Sequence, residues 1–221
     1  MGNTLGGVGV LDKAIVLLDA LEQSPCSLSE LVAITGVPRA TAHRLATALE
    51  THGLVRRDDE GRFTLGSRLV ALGRAAAEAF PLAGAAHKAL RELRDLTEES
   101  VQLFVPEADR RVCIAALQSP HGLRTIVPLG ASLSLQELGS GARALNGESG
   151  PGGWVESVGE REAGVASVSA PVVDRGVIIA AVSVSGPIER TTKHPGRRYG
   201  EAVVVAARRI ERDAGLRTEN P

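Results

Sequence analysis

Residues Gly36–Leu54 read GVPRATAHRLATALETHGL, and their pattern sets the fold of the first third of the chain. Val37, preceding a proline, is pushed towards extended backbone, and Pro38 suits the first position of a helix. Ala42, Leu45, Ala46 and Leu49 then recur three and four residues apart, the buried stripe of a helix that Gly53 stops. With Ala42 facing inward, a turn of about 100° per residue carries Ala40, Arg44, Thr47 and Thr51 to the far side. Arg39, Thr41 and His43 crowd the exposed first turn. Short side chains beside long cationic ones are what a DNA major groove admits: close approach, phosphate contacts and an arginine able to read guanine.

The flanks agree. Upstream, Leu11, Ile15, Leu18 and Leu21 mark an amphipathic helix from Val10 to Gln23. In SPCSLSELVAITG, Ser27 and Glu30 form the S-x-x-E capping pattern that opens a second helix. Gly36 closes it as a left-handed cap. Downstream, LVRR and RFTLG flank the turn DDEG as two short strands of a hairpin, carrying Arg56, Arg57 and Arg62. Three helices and a hairpin, with a tight turn between the second and third helices, make a winged helix-turn-helix. Charge is sorted to match: Val37 to Arg57 holds four arginines and one glutamate, whereas Gly9 to Gly36 holds one lysine and four acids. An ordinary solvated helix would explain the third helix alone. The ordered set of cap, turn, proline start and basic hairpin favours DNA contact.

The bulk composition limits the rest. Of 221 residues, 43% are hydrophobic and 23% charged, so a packed core is expected, built from Ala, Val, Leu and Ile because aromatics are only 2%. A net charge of -1 excludes a uniformly basic coat, so any nucleic-acid contact is a local patch. The apolar run Val177 to Val182 is too short to span a bilayer, and the start MGNTLGGVGV lacks a signal-peptide layout. Its glycines precede a helix with no strand before them, which argues against a phosphate loop. Cys26 and Cys113 form neither a disulfide framework nor a metal spacing. A cytoplasmic protein without cofactor or metal is expected.

Residues 67–99 read as linker helices with Leu69, Leu72, Ala76, Leu82, Ala86, Leu90, Leu93 and Leu96 as apolar positions, broken or kinked at Pro81. They could pack on a second subunit or within their own chain. From residue 100, SVQLFV, RRVCIAAL, GLRTIVPL, GVASVSAPV and GVIIAAVSVSG are strand-like, and Pro195 to Leu216 reads as a closing helix. The class is therefore α+β, not a βαβ array. Ser167 and Ser169, like Ser183 and Ser185, alternate along strands and so share a face. Packing suffices to explain Ser169. No histidine or carboxylate is identifiable as an activating base, and His87, His121 and His194 lack zinc spacing, so enzymatic or metal roles are disfavoured.

Six blocks in order are similar to the IclR (isocitrate lyase regulator) family of bacterial transcription factors: VLDKAIVLLDAL, PRATAHRLATALETHGLV, GRFTLGSRLVALG, GLRTIVPLG, REAGVASVSAPV and AAVSVSGPIER. The two SVS blocks resemble an actinobacterial branch associated with leucine and related amino-acid biosynthesis. The resemblance implies a winged helix-turn-helix over 1–66, linker helices over 67–99 and a GAF-like effector-binding domain over 100–221. It further implies dimers, or tetramers built from two dimers, acting as a repressor at double-stranded operator DNA. The alternative is a sensor module of the same fold with weak or no ligand control, or one that has lost DNA binding. The intact basic third helix argues against that loss. Carried over by position, the effector residues are Gly141, Ala142, Ser157, Ser167, Ser183 and Ser185, and the effector a small carboxylate, an amino acid or 2-keto acid. Backbone N–H groups of GSGA, if they open a helix, suit a carboxylate. Ser157 stands where better-known members carry an acid. Between Gly141 and Trp154 this chain has only ARALNGESGPGG, where the family has additional helices over the pocket, so a shortened, more open cover is expected.

Overall fold

The computed structural model describes residues 9–79 and 81–217, so the glycine-rich opening, residues 1–8, lies outside the described residues. The chain divides into two compact units, one ending at Ala76 and the other beginning at Ala77.

In the first unit, α1 (Gly9–Gln23), α2 (Leu28–Thr35) and α3 (Arg39–Thr51) are followed by a hairpin of β1 (Val55–Arg57) and β2 (Phe63–Leu65). Both halves of the expected capping box form at α2: Glu30 N–H donates to Ser27 Oγ at 3.3 Å, and Ser27 N–H donates to Glu30 Oε2 at 2.7 Å. Gly36 caps the other end with φ 67°, its N–H bound to Val32 O. Pro38 sits one residue earlier than expected. It is the residue flanking α3, with φ −54° and ψ 137°, and its carbonyl accepts from Ala42 N–H at 2.9 Å. The apolar stripe of α3 is buried at Ala42, Ala46 and Leu49, with Leu45 partly covered.

Only the second half of α1 meets this core. Leu17, Ala20 and Leu21 are buried, whereas Leu11 and Ile15, expected inward, are exposed. The core formed by α2, α3 and Phe63 of the hairpin is too small to cover a helix of this length. The hairpin is tied to the α1–α2 link by paired backbone bonds between Cys26 and Phe63, at 2.9 and 2.8 Å. It is locked to the end of α3 by backbone contact. Gly66 N–H donates to Leu54 O, and a Cβ at Gly66 would stand 2.1 Å from Gly53 O.

α4 (Ser67–Ala79) leaves Val70 and Leu72 exposed. In the second unit, α5 (Pro81–Thr97) precedes β3 (Ser100–Glu107), β4 (Arg110–Leu117), β5 (Ser132–Ser134), α6 (Ser140–Leu145), β6 (Val155–Val158), β7 (Val165–Asp174), β8 (Val177–Pro187), α7 (Ile188–Thr191) and α8 (Pro195–Asp213). The six strands form one antiparallel sheet in the order β5-β4-β3-β8-β7-β6. Ala86, Leu90 and Leu93 of α5 pack with Val203, Ala207 and Ile210 of α8 onto Leu103, Val168, Ala170 and Val182 of one sheet face. Thus α5 belongs to this unit's own core.

The segment GLRTIVPL is not a strand. Its polar backbone is partnered by side chains: Arg190 donates to Leu123 O at 2.8 Å while forking onto buried Glu99 at 2.7 and 2.9 Å. Arg124 donates to His121 O and to Gln118 Oε1. The Leu123 carbonyl is satisfied this way without a neighbouring strand, and the sheet edge falls to short β5. After α6 the chain turns through a Gly-rich link to Trp154, whose ring lies where Cβ atoms at Gly196 and Gly200 of α8 would be, at 1.9 and 2.5 Å. Only glycine admits that ring against the helix.

Gly66→Ala sets a methyl group against backbone that cannot swing aside. Chemical denaturation should show a loss of about 3 kcal/mol, the upper part of the overpacking range, with far-UV signal lost from the first unit before the second.

Candidate nucleic-acid interface and ligand cavity

The polar side of α3 and the hairpin carry every basic residue singled out in the sequence, but their freedom differs. Arg39, His43, Arg44, Thr47, Arg56 and Arg57 are exposed, and Thr41 and Arg62 half-buried. Arg39 Nη1 donates to Ser29 Oγ at 3.1 Å, bracing the start of α3 against α2. Arg57 is held by Glu50 at 3.3 Å, by Gly61 O, and by the face of Phe63 at 4.2 Å. Arg62 pairs with Asp58 at 2.9 Å and Glu60 at 3.2 Å. Arg44, Arg56 and His43 make no side-chain hydrogen bond or ion pair among the described residues.

Asp58 organises the turn. Burial pushes its carboxyl up, but the N–H and guanidinium of Arg62 and the N–H of Glu60 outweigh this and hold it below the ordinary Asp value. Arg62 is thus committed to shaping the hairpin, a role its charge alone did not reveal.

In the second unit, the sheet face opposite α5 and α8 borders a cavity of about 40 Å³. Gly141, Ser157, Ser167, Ser183 and Ser185 line it, together with Ser140, Gln102, Phe104, Arg111 and Arg161. Ala142, also expected there, is buried but does not line it. It follows Gly141 by one helical position, a rotation of about 100° that carries it off the cavity and into the interior. Register brings the serines together: Ser167 lies opposite Ser185, and Ser169 opposite Ser183. Ser140 Oγ meets Ser167 at 2.7 Å and Ser169 at 2.8 Å, Ser169 reaches Ser183 at 2.9 Å, and Ser185 donates to Gln102 Oε1 at 3.2 Å. These partners are hydroxyls and an amide. None is a base that would activate a serine nucleophile.

The residue the sequence reading missed is Arg111, only 3% exposed. Its Nη1 donates to Ser134 O at 3.0 Å and its guanidinium lies 5.7 Å from the Phe104 ring centre. Burial first, and the nearby Arg161 charge second, hold its pKa below the usual arginine value, with Glu137 opposing. The signal was available: in RRVCIAAL, Arg111 shares strand parity with Cys113, so an inward cysteine implies an inward arginine. Among the described residues no group of three His, Cys, Asp or Glu could hold a metal ion, and no helix is long and apolar enough to cross a membrane.

A helix-turn-helix with a basic outer face and a basic hairpin, followed in the chain by a sheet unit with a polar cavity, defines a two-part DNA-binding regulator. The family model described as "IclR helix-turn-helix domain" matches residues 10–59, and "Bacterial transcriptional regulator IclR C-terminal" matches residues 150–212, together just over half of the chain. The chain belongs to the IclR family of bacterial transcriptional regulators. It is 28% identical over 119 residues to the HTH-type transcriptional regulator KipR of Bacillus subtilis, covering 53% of this chain and 48% of that protein. It is 25% identical over 245 residues to the transcriptional repressor IclR of Escherichia coli, covering 93% and 89%. The fold is also that of an IclR homolog from Microbacterium hydrocarbonoxydans solved in complex with 4-hydroxybenzoate, with TM-score 0.77, 21% identity and coverage of 93% and 99%.

Both cysteines are free and buried, and burial pushes the Cys113 thiol up to about 11. A thiol raised this far stays protonated and unreactive at pH 8. Ellman's reagent should therefore leave the native protein unlabelled over minutes and titrate two thiols once it is unfolded.

Proposed function

We propose that this protein is an effector-controlled repressor that binds double-stranded operator DNA as a homodimer, or as a tetramer of two dimers, in the cytoplasm. The observation that carries the reading is the cationic outer face of α3 and the hairpin, with Arg44 and Arg56 uncommitted to the protein itself. In this reading Arg44 reads base edges from within the major groove, with Arg39, Thr41, His43 and Thr47 on bases and nearby phosphates. Arg56, Arg57 and Arg62 of the wing face the backbone or minor groove. Two copies bind half-sites about one helical turn apart. The exposed apolar residues of α1 and α4, Leu11, Ile15, Val70 and Leu72, supply surface for pairing.

The organisation we propose remains a DNA-binding domain over 1–66, linker helices over 67–99 and a GAF-like effector domain over 100–221. Gly141, Ser157, Ser167, Ser183 and Ser185 form the effector site. Ala142 is assigned packing. The match to the E. coli repressor runs over 245 residues against a chain of 221, which supports a shortened chain here. We place that shortening in the pocket cover before Trp154. The effector we propose is a small carboxylate, an amino acid or 2-keto acid, in keeping with the aromatic carboxylate bound by the Microbacterium homolog. The SVS blocks support control of leucine or related amino-acid biosynthesis genes. Effector binding then shifts a population between DNA-competent and incompetent states.

One observation favours a second reading, a regulator of the same fold with weak ligand control. The cavity of about 40 Å³ lies far below the ~300–1,000 Å³ of ordinary ligand pockets.

Mobility-shift titration over salt concentration tests the DNA assignment. Arg44→Ala should weaken operator binding at least tenfold and reduce discrimination among operator variants by about 1–3 kcal/mol per affected base pair. Arg56→Ala should weaken all sequences similarly and flatten the salt slope by about one. Unchanged binding in both variants would refute the interface.

A further inference from the structure

We infer that Arg111 is the charge-reading residue of the cavity in the second unit, where the unpartnered edge of its guanidinium seats the carboxylate of a small organic acid. The inference rests on the proposed effector role of that cavity and specifies what the site demands of its ligand.

The first argument is an uncompensated buried charge. Arg111 is 3% exposed and has no ion pair with any carboxylate among the described residues. A guanidinium taken out of water without an anion is costly, and proteins ordinarily pair it. Arg161, which lines the same cavity, adds a second positive charge. That charge is met only loosely by Glu162, at 3.8 Å. An anion would relieve both the desolvation and the repulsion.

Geometry supplies the second argument. Nη1 is already spent on Ser134 O, and the Phe104 ring lies beneath the guanidinium plane. Nε is enclosed and has no hydrogen-bond partner. Nη2, beside Gly139, makes no hydrogen bond among the described residues. The Nε–Nη2 edge is one of the two sides on which arginine forks a carboxylate with parallel N–H···O bonds. Arg111 is thus anchored on one side and vacant on the other.

The hydroxyls set the remaining chemistry. Ser140, Ser169 and Ser183 are tied into their own chain of bonds. Ser157 is buried and makes no side-chain hydrogen bond among the described residues, so it can serve a second polar group on the ligand. A space of about 40 Å³ exceeds the ~10–15 Å³ that one water requires, so it admits a small carboxylate before a bulky acid. The site therefore selects first for charge and next for small size.

Acetate and its neutral isostere acetamide separate charge from shape. In thermal-shift titrations of the full chain at constant ionic strength, sodium acetate should raise the melting temperature saturably and acetamide should not. Arg111→Gln should abolish the acetate response. Arg111→Lys, which keeps charge but loses the fork, should weaken it about tenfold. Without ligand, the melting temperature of Arg111→Gln should equal or exceed that of the wild type, because an unpaired buried charge has been removed. A fall there would mean that Arg111 is merely structural. Equal responses to acetate and acetamide, no acetate response in the wild type, or a response persisting in Arg111→Gln each overturn the assignment. The DNA titrations with Arg44→Ala fail or succeed independently, so loss of the regulator reading and loss of the Arg111 assignment are distinguishable.

Discussion

The antiparallel register of β7 against β8 is the constraint on which the second unit depends. Because side chains alternate along a strand, pairing Ser167 with Ser185 and Ser169 with Ser183 also sends Val168, Ala170, Val182 and Val184 to the other face. One face then receives α5 and α8, and the other becomes a hydroxyl-lined floor. A slip of one residue would bury serines under α8 and expose valines to the cavity. The two SVS blocks are thus a single device: they make one register much cheaper than its neighbours and build a polar floor in the same act.

Scarcity of aromatic side chains explains how the molecule holds together elsewhere. Small residues gain cohesion only through close approach, and the glycines permit it. In the first unit, backbone meets backbone where Gly66 reaches Gly53, which sets the hairpin against the end of α3. In the second, Trp154 fills the groove that Gly196 and Gly200 leave along α8. Seating that ring directly after a short Gly-rich link brings the chain straight from α6 into β6.

Electrostatics divide the basic residues into those that shape the protein and those left over. Arg62 and Asp58 close the hairpin turn, Arg57 lies on Phe63 beside Glu50, and Arg190 clamps Glu99 and the 122–129 segment. These side chains have already exchanged water for protein partners, and a new contact must compete with the old one. Arg44 and Arg56 have not, and neither has the inner edge of Arg111. Function is best sought among cations whose hydrogen-bonding capacity the fold leaves unused.

Features governed by neighbouring residues could be read directly from the sequence. The Ser27–Glu30 box, the Gly36 cap, the stripe of α3, the hairpin, four of the five expected strands and the shared face of the serines all follow from local geometry and period. Features governed by distant partners could not. GLRTIVPL finds a partner for Leu123 O in the distant Arg190 and not in a strand, and whether Leu11 and Ile15 are covered depends on how much core lies against α1. Pro38 stands one place from its expected position because either side of a helix boundary suits proline. Ala142 lies buried one helical step from the cavity, and Arg111 was passed over because charge suggests the surface. Sequence determines period, caps and turn chemistry, since these are set within a few residues. Tertiary structure alone decides which polar groups find partners, since that depends on what folding brings within about 3 Å of them.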